Sequence, residues 1–358
     1  MIDPVAAYLE EGIAEGWMPG AVWSVSGPDG IVSQGAAGLA SIEPERSPTT
    51  VETLYDLASL TKPLVTGLAL AILEERAQLS LDAPVSDVLP EFDGTAWAGR
   101  SLKSFAAHSA GMPAWMPLAR RGGGLEAALA EIAAVEPGPE GVTVYSDPGY
   151  IALGAVVERI SGSTLDAWFA EAVAGPLGLD SIGYASRIDC TEAAPTERGN
   201  ALERGLAGES GVGLEWRDAL IRGETHDGNA HALDGVAGHA GLFGAVRDVV
   251  SIGGEILRPK KGVLGAHSRS RLLSELLPGS GRTLGFVLAC ASGAARGVLP
   301  DDAPGHVGFS GTSLWLEPGA SRIYVLLTNR VHPVVRDEDF QVLRAGFHRV
   351  ARGLFPRP

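Results

Sequence analysis

Apolar residues near the start of the chain recur at helical spacing, Val5, Leu9 and Ile13, with acidic residues between them. That pattern predicts an amphipathic helix over residues 4–16, closed by Gly16. The texture then changes to short runs of β-branched and small residues, Ala21 to Val25 and Ile31 to Gly38, separated by Gly27-Pro28-Asp29-Gly30. A turn of that composition between two such runs predicts a hairpin. The last third returns to strands, Thr283 to Cys290, Gly308 to Leu316 and Arg322 to Thr328, before a closing helix over residues 338–354. Glu317-Pro318-Gly319-Ala320 joins the last two strands. Residues 60–250 read as helices linked by Gly- and Pro-bearing loops: Leu64 to Arg76, Leu125 to Val135, Tyr150 to Ile160, Thr164 to Ala174 and Arg247 to Leu257. Strands at both ends with helices between predict an α/β protein of the α+β type. Residues 1–62 and 251–358 would build an antiparallel sheet flanked by helices, and 63–250 a mainly helical region. A site is expected where the two parts meet.

With 358 residues, 45% hydrophobic and 20% charged, the chain can bury a large core, which excludes disorder and small disulfide scaffolds. Its net charge of −15 argues against a nucleic-acid partner, which requires a clustered surplus of Lys and Arg. Cys190 and Cys290 form no pair with metal-ligand spacing and read as buried free thiols. The N-terminal stretch carries Asp3, Glu10, Glu11 and Glu15 and no basic residue, unlike a signal peptide. The best apolar run, Leu64 to Leu73, is about half of the roughly 20 residues a membrane span needs. With Met1 as the start, a cytoplasmic protein without a membrane partner is expected; the oligomeric state is not specified.

Candidate chemistry begins at Ser59-Leu60-Thr61-Lys62, where loop residues give way to an apolar helix. Pro63 fits only a helix's first turn, so Ser59 lies at or near the N-cap. A spacing of three puts hydroxyl and amine on one face, within mutual reach. The helix N-terminus favours an oxyanion at Ser59. Burial among Leu60, Leu64 and Val65 is expected to depress the Lys62 pKa, so that a neutral amine could accept a proton. Two further motifs follow in order: Tyr145-Ser146-Asp147, before a Pro148-Gly149 turn and an apolar helix, and His306-Val307-Gly308, opening a predicted strand through Phe309 to Trp315.

In these motifs the sequence resembles the serine β-lactamase-like family, which holds class C β-lactamases, related penicillin-binding proteins and carboxylesterases. The family pattern is SxxK, then a YxN-like triplet, then a K/H/W-x-G triplet on a sheet strand. Surrounding segments, among them LYDLASLTKPL, VYSDPGYIALGAVVERISG and GHVGFSGTSLWLEP, extend the likeness over nearly the whole chain. The resemblance implies the β-lactamase/transpeptidase-like fold and acyl transfer to water, with a small-molecule acyl substrate and no metal or organic cofactor. It implies Ser59 as the nucleophile, Lys62 and Tyr145 sharing the proton work with a tyrosine pKa lowered by the lysine, and an oxyanion hole from the N–H groups of Ser59 and Phe309. Asp147, His306, Gly308 and Trp315 would line the substrate site.

The departures from the pattern bear on the substrate. Asp147 stands where Asn is common; it cannot donate an amide N–H, and its charge should hold Lys62 as an ammonium. His306 and Val307 replace Lys and Thr, removing a fixed charge and a hydroxyl that would clasp a β-lactam carboxylate. Esters or D-amino-acid peptides are therefore expected ahead of β-lactams. If His306 titrates in the cleft, activity should change between about pH 5.5 and 7.5. The alternative is a non-catalytic member, a ligand-binding or self-assembling scaffold.

Other signals read blandly. His226, Asp227, His231, Asp234 and His239 are dense in metal-ligand types, but their spacing and the glycines among them suggest loop-structuring or pocket-lining residues. Ala107-His108-Ser109-Ala110-Gly111 falls one glycine short of a nucleophile elbow and reads as a turn near the site's rim. Gly122 to Gly124 reads as a flexible connection. Trp115, Trp168 and Trp216 are expected in the core. Glu192 and Arg198 suggest no chemistry.

Overall fold

The computed structural model describes residues 3–118, 123–211, 213–214, 216–336 and 338–356. Asp3 caps the first helix, Pro4–Ala14, by accepting from the Val5 N–H, and the helix buries Val5 and Leu9. Among the described residues ten strands follow: β1 (Gly20–Gly27), β2 (Gly30–Ser41), β3 (Ser47–Pro48), β4 (Tyr55–Asp56), β5 (Ile182–Tyr184), β6 (Leu242–Gly244), β7 (Val287–Leu288), β8 (Pro304–Val307), β9 (Ser313–Glu317) and β10 (Arg322–Thr328). Seven form one antiparallel sheet in the order β3-β2-β1-β10-β9-β8-β7, so strands from the two ends of the chain pair at its centre. β4, β6 and β5 form a small second sheet whose two- and three-residue strands gave no readable alternation in the sequence.

The large sheet is covered on both faces because its central strands are apolar on both. Ala21, Trp23 and Val25 of β1, with Tyr324 and Leu326 of β10, join a core completed by Val5, Leu9 and, from the closing helix Gln341–Arg352, Leu343 and Phe347. The alternate residues Val22, Ile323, Val325 and Leu327 face a larger core that takes in Val249 and Ile252 and continues through the helices of the middle region. A period of two sorts side chains between the layers.

Four expectations are corrected. The stretch read as one strand from His306 through Trp315 is a hairpin: β8 ends at Val307 and β9 starts at Ser313, with Gly308 N–H donating to the Thr312 carbonyl across the turn. Gly311, at φ +118°, supplies a backbone conformation that L residues rarely adopt. The strand expected over Thr283 to Cys290 shrinks to Val287–Leu288, and Cys290 is exposed, while Cys190 is buried. Of the glycine run, Gly122 lies outside the described residues, and Gly124 opens the helix Gly124–Ala133. Among the described residues no helix is long and apolar enough to cross a membrane.

Candidate active site

Ser59 sits in a single tight turn, Ala58–Leu60, between β4 and a helix that begins as a π-helical segment, Lys62–Gly67, and continues as Leu68–Glu75. Ala58 has φ +48°, costing about 1–3 kcal/mol for a residue with a Cβ, so the corner must be held from outside. Buried Asp56 holds it. One carboxylate oxygen accepts from the Ala58 N–H at 2.7 Å, and the other accepts from the His226 N–H at 2.8 Å. Thr61 adds a hydroxyl that donates to the Ala58 carbonyl at 2.7 Å and accepts from the Leu242 N–H at 3.1 Å. Burial pushes the Asp56 carboxyl up to about 6 even with both N–H groups pulling it down.

Lys62, 0% exposed, lies below Ser59. Its three N–H donors meet three acceptors: Ser59 Oγ at 3.0 Å, Asp147 Oδ1 at 2.6 Å and the His239 carbonyl at 3.1 Å. That is the coordination of an ammonium, not of a free amine. Burial pulls the Lys62 pKa down. The Asp147 charge, Tyr145 and hydrogen bonds to both outweigh it, so the pKa lies above the ordinary lysine value. The depression expected from burial is therefore corrected, while the ammonium expected from the Asp147 charge agrees with the geometry.

Tyr145 and Asp147 arrive through a helix start. Ser146 caps the helix Asp147–Ser161 by accepting from the Gly149 N–H at 3.1 Å. Its own N–H donates to His108 Nδ1 at 2.9 Å. His108, at φ +57°, stacks its ring 4.7 Å from that of Tyr145 and 4.9 Å from that of Tyr150. The segment read as a turn at the rim is thus a buried turn behind Tyr145. The Lys62 ammonium lies 4.8 Å from the Tyr145 ring centre. Burial raises the Tyr145 pKa; Lys62 and Ser59 pull it back only in part, so the resting group is a neutral phenol, and the expected lowering is also corrected.

The opposite wall is the hairpin β8–β9. A Cβ on Gly308 would stand 2.6 Å from the Leu57 carbonyl and 2.1 Å from Thr312 Oγ1, so only glycine lets this turn approach the Ser59 corner. Two hydroxyls clamp it there: Ser310 Oγ donates to the Asp56 carbonyl at 2.7 Å and Thr312 Oγ1 to the Leu57 carbonyl at 3.0 Å. Among the described residues neither the Ser59 nor the Phe309 amide N–H meets a protein acceptor. Burial, with Lys62 and Arg282 nearby, holds His306 well below its ordinary pKa and therefore neutral.

These walls enclose a cavity of about 580 Å³, with Ser59, Tyr145, Asp147, His306, Gly308 and Phe309 on its lining and Lys62 beneath it. Trp315 is not there. Paired with Gly305 across the hairpin, it points into the core beneath the closing helix, its ring 6.0 Å from His348. Trp115, expected in the core, lines the cavity instead.

Residues 5–346 match the family described as Beta-lactamase. The chain belongs to that family. N-acetylmuramyl-L-alanine amidase of Bacillus subtilis (strain 168) is 27% identical over 369 residues, covering 94% of this chain and 82% of that protein. Esterase EstB of Burkholderia gladioli is 32% identical over 201 residues, 50% of each chain. The solved structure of EstCE1, a hydrolase with promiscuous acyltransferase activity, superposes with a TM-score of 0.75 at 21% identity over 97% of each chain, a likeness of fold.

Within this β-lactamase-family site, sequence reading missed several residues. Asp56 and Glu203 carried no motif, and Arg282 is a lone basic residue in a Gly-rich stretch. The histidine-rich loop does contribute: His226 packs its ring 5.4 Å from Phe309, and His239 contacts Asp227 at 2.9 Å. Among the described residues no group of three metal-ligand types gathers closely enough to hold an ion. Arg198 pairs with Glu43, and Glu192 with Arg222, at the surface.

Proposed function

We propose that this protein hydrolyses small acyl esters or amides through a covalent acyl-enzyme on Ser59. One observation carries the reading: a fully buried ammonium joins Ser59 Oγ at 3.0 Å to a carboxylate at 2.6 Å on the floor of an open cavity. Esterase and amidase names among the relatives support the reaction class.

With Lys62 charged and Tyr145 neutral, the base of the resting site is Asp147. Lys62 first passes a proton to Asp147 Oδ1, which frees a lone pair on Nζ, and that lone pair takes the Ser59 proton as Oγ attacks the acyl carbon. The oxyanion is received by the N–H groups of Ser59 and Phe309. As the bond to the departing alcohol or amine breaks, Tyr145 gives that group its proton, and the proton held by Asp147 returns through Lys62 to the phenolate. Net transfer is from Ser59 to the leaving group. Water then repeats the sequence on the acyl-enzyme, restoring Ser59.

Asp147 in place of an amide explains why this chain retains a charged lysine, and neutral His306 leaves the strand side without the cation a β-lactam would use. Esters and D-amino-acid peptides therefore rank above β-lactams. A cytoplasmic location is part of the proposal, and the exposed free Cys290 supports it as a thiol suited to a reducing compartment.

Nitrophenyl acetate mixed rapidly with the enzyme tests the reading. A burst of nitrophenol stoichiometric with enzyme, absent in Ser59→Ala, is expected; a burst that persists in that variant would assign the acyl group elsewhere.

A further inference from the structure

A surface helix ordinarily buries its leucines and exposes its glutamates; the helix Ala201–Ala207 beside the cavity does the reverse. Glu203 and Ala207 are its buried residues, whereas Leu202 is 40% and Leu206 61% exposed. A spacing of four sets the two leucines on one face, and both stand on the cavity lining. The other exposed large apolar side chains among the described residues, such as Val142 and Val342, are not on that lining. A lone exposed leucine is ordinary, but a pair on the wall of a reaction cavity is an apolar patch placed to meet a ligand.

Polar contacts hold the inversion in place. The Glu203 carboxylate accepts from the Gly228 N–H at 3.0 and 3.1 Å and from Asn200 Nδ2 at 2.8 Å, and Asn200 Nδ2 also donates to the His226 carbonyl at 3.0 Å. The helix is thereby fixed to the segment whose His226 ring packs against Phe309. A second part of the lining is fixed to the same segment. Asn229 Oδ1 accepts from the Leu118 N–H at 2.7 Å and Asn229 Nδ2 donates to the Met116 carbonyl at 2.9 Å, next to Trp115 on the cavity lining. The leaving group departs towards Tyr145, which supplies its proton. The leucines are tied instead to the Phe309 side, where the carbonyl oxygen is held, and so flank the acyl portion. We propose that Leu202, Leu206 and Trp115 clamp the acyl chain, making the preferred substrates esters or amides of uncharged, apolar acids longer than acetate. Asp227, on the same lining, adds a carboxylate that disfavours an anionic chain. This rests on the acyl-enzyme reading above and names the acid half of its substrate.

The test compares nitrophenyl acetate with nitrophenyl hexanoate, and ethyl acetate with hexyl acetate. Wild type should favour nitrophenyl hexanoate over nitrophenyl acetate by about tenfold or more in kcat/KM, a fraction of the roughly fourfold that each fully buried methylene can supply. The double variant Leu202→Ser with Leu206→Ser should lose that preference, and Leu206→Met should keep it. Because both leucines are exposed, the double variant should melt as wild type does. In Ser59→Ala, nitrophenyl hexanoate should raise the melting temperature more than the acetate does, and adding the two serine substitutions should abolish the difference. No preference in wild type, one that survives in the double variant, or a preference for hexyl over ethyl acetate in its place overturns the clamp and leaves the hydrolase reading intact. A wild-type dimer that the double variant splits in sedimentation would also overturn it, by giving the leucines another occupant. Length-dependent binding by Ser59→Ala, with no turnover of any ester by wild type, would instead uphold the clamp and sink the hydrolase.

Discussion

At Lys62 two large effects oppose each other, and the winner decides the chemistry. Desolvation favours a neutral amine, whereas Asp147 at 2.6 Å favours the ammonium, and the ammonium prevails. Breaking such a buried pair from one side costs about 3–5 kcal/mol in comparable cases. Lys62→Ala and Tyr145→Phe should each reduce nitrophenyl ester hydrolysis by at least about a hundredfold; near-wild-type rates in either would mean the roles are misassigned. Asp147→Asn removes the charge that raises the Lys62 pKa and leaves burial to lower it. The variant's activity should therefore climb with pH through the neutral and alkaline range, a limb the wild type lacks, and parallel profiles would contradict the proton path. His306, neutral throughout, should leave the profile unchanged between about pH 5.5 and 7.5. The check is that His306→Gln and wild type give profiles of the same shape. Ser59, Lys62 and Tyr145 were legible as residue types at given spacings. The charge on Lys62 was legible only through the motif that carries Asp147, 85 residues away, and not from the apolar neighbours of the lysine itself.

At the scale of elements, the site depends on how closely the hairpin β8–β9 approaches the Ser59 corner. Gly308→Ala would press a methyl group against the Leu57 carbonyl and Thr312, moving the Phe309 N–H away from the oxyanion position. The expected result is a loss of at least about tenfold in kcat with circular dichroism unchanged, since one oxyanion donor is worth roughly 10²–10³; unchanged kcat would remove Phe309 from the oxyanion hole. The first hairpin, the long helices and the last strand followed from periodicity because they are long and regular. The alternation from His306 to Trp315 misled because two glycines turn the chain midway, and that turn sends Trp315 to the opposite face of the sheet from the cavity. A strand of two residues, such as β4 or β7, has no period to read.

For the molecule as a whole, burial lowers the pKa of several histidines and raises that of several carboxyls, with opposite consequences for stability. His226 and His348 are pulled down to about 4 by burial, and His108 and His306 well below the ordinary value. Unfolding frees them to bind protons near pH 6.5, so the stability they contribute is present above that pH and lost as pH falls. Burial pushes Glu197 up to about 7 and Asp56 up to about 6, and Glu203 is raised by burial and by Asp227. Their contribution is present in acid and lost as pH rises through those values. The melting temperature should accordingly pass through a maximum near pH 6 to 7, falling on both sides; a steady rise to pH 8 in differential scanning fluorimetry would contradict this balance. That strands from both ends form one sheet was legible from the texture of the termini, but buried Asp56 and Glu197, and Glu203 on the cavity lining, were not, because nothing local marks a carboxylate for burial.

All of this depends on Ser59 being a hydroxyl that takes an acyl or phosphonyl group. Incubation with a fluorophosphonate followed by peptide mass spectrometry measures that directly. One stable adduct is expected on the peptide containing Ser59, lost in Ser59→Ala and slowed in Lys62→Ala; an unmodified Ser59 peptide, or an adduct on any other residue, would contradict the acyl-enzyme.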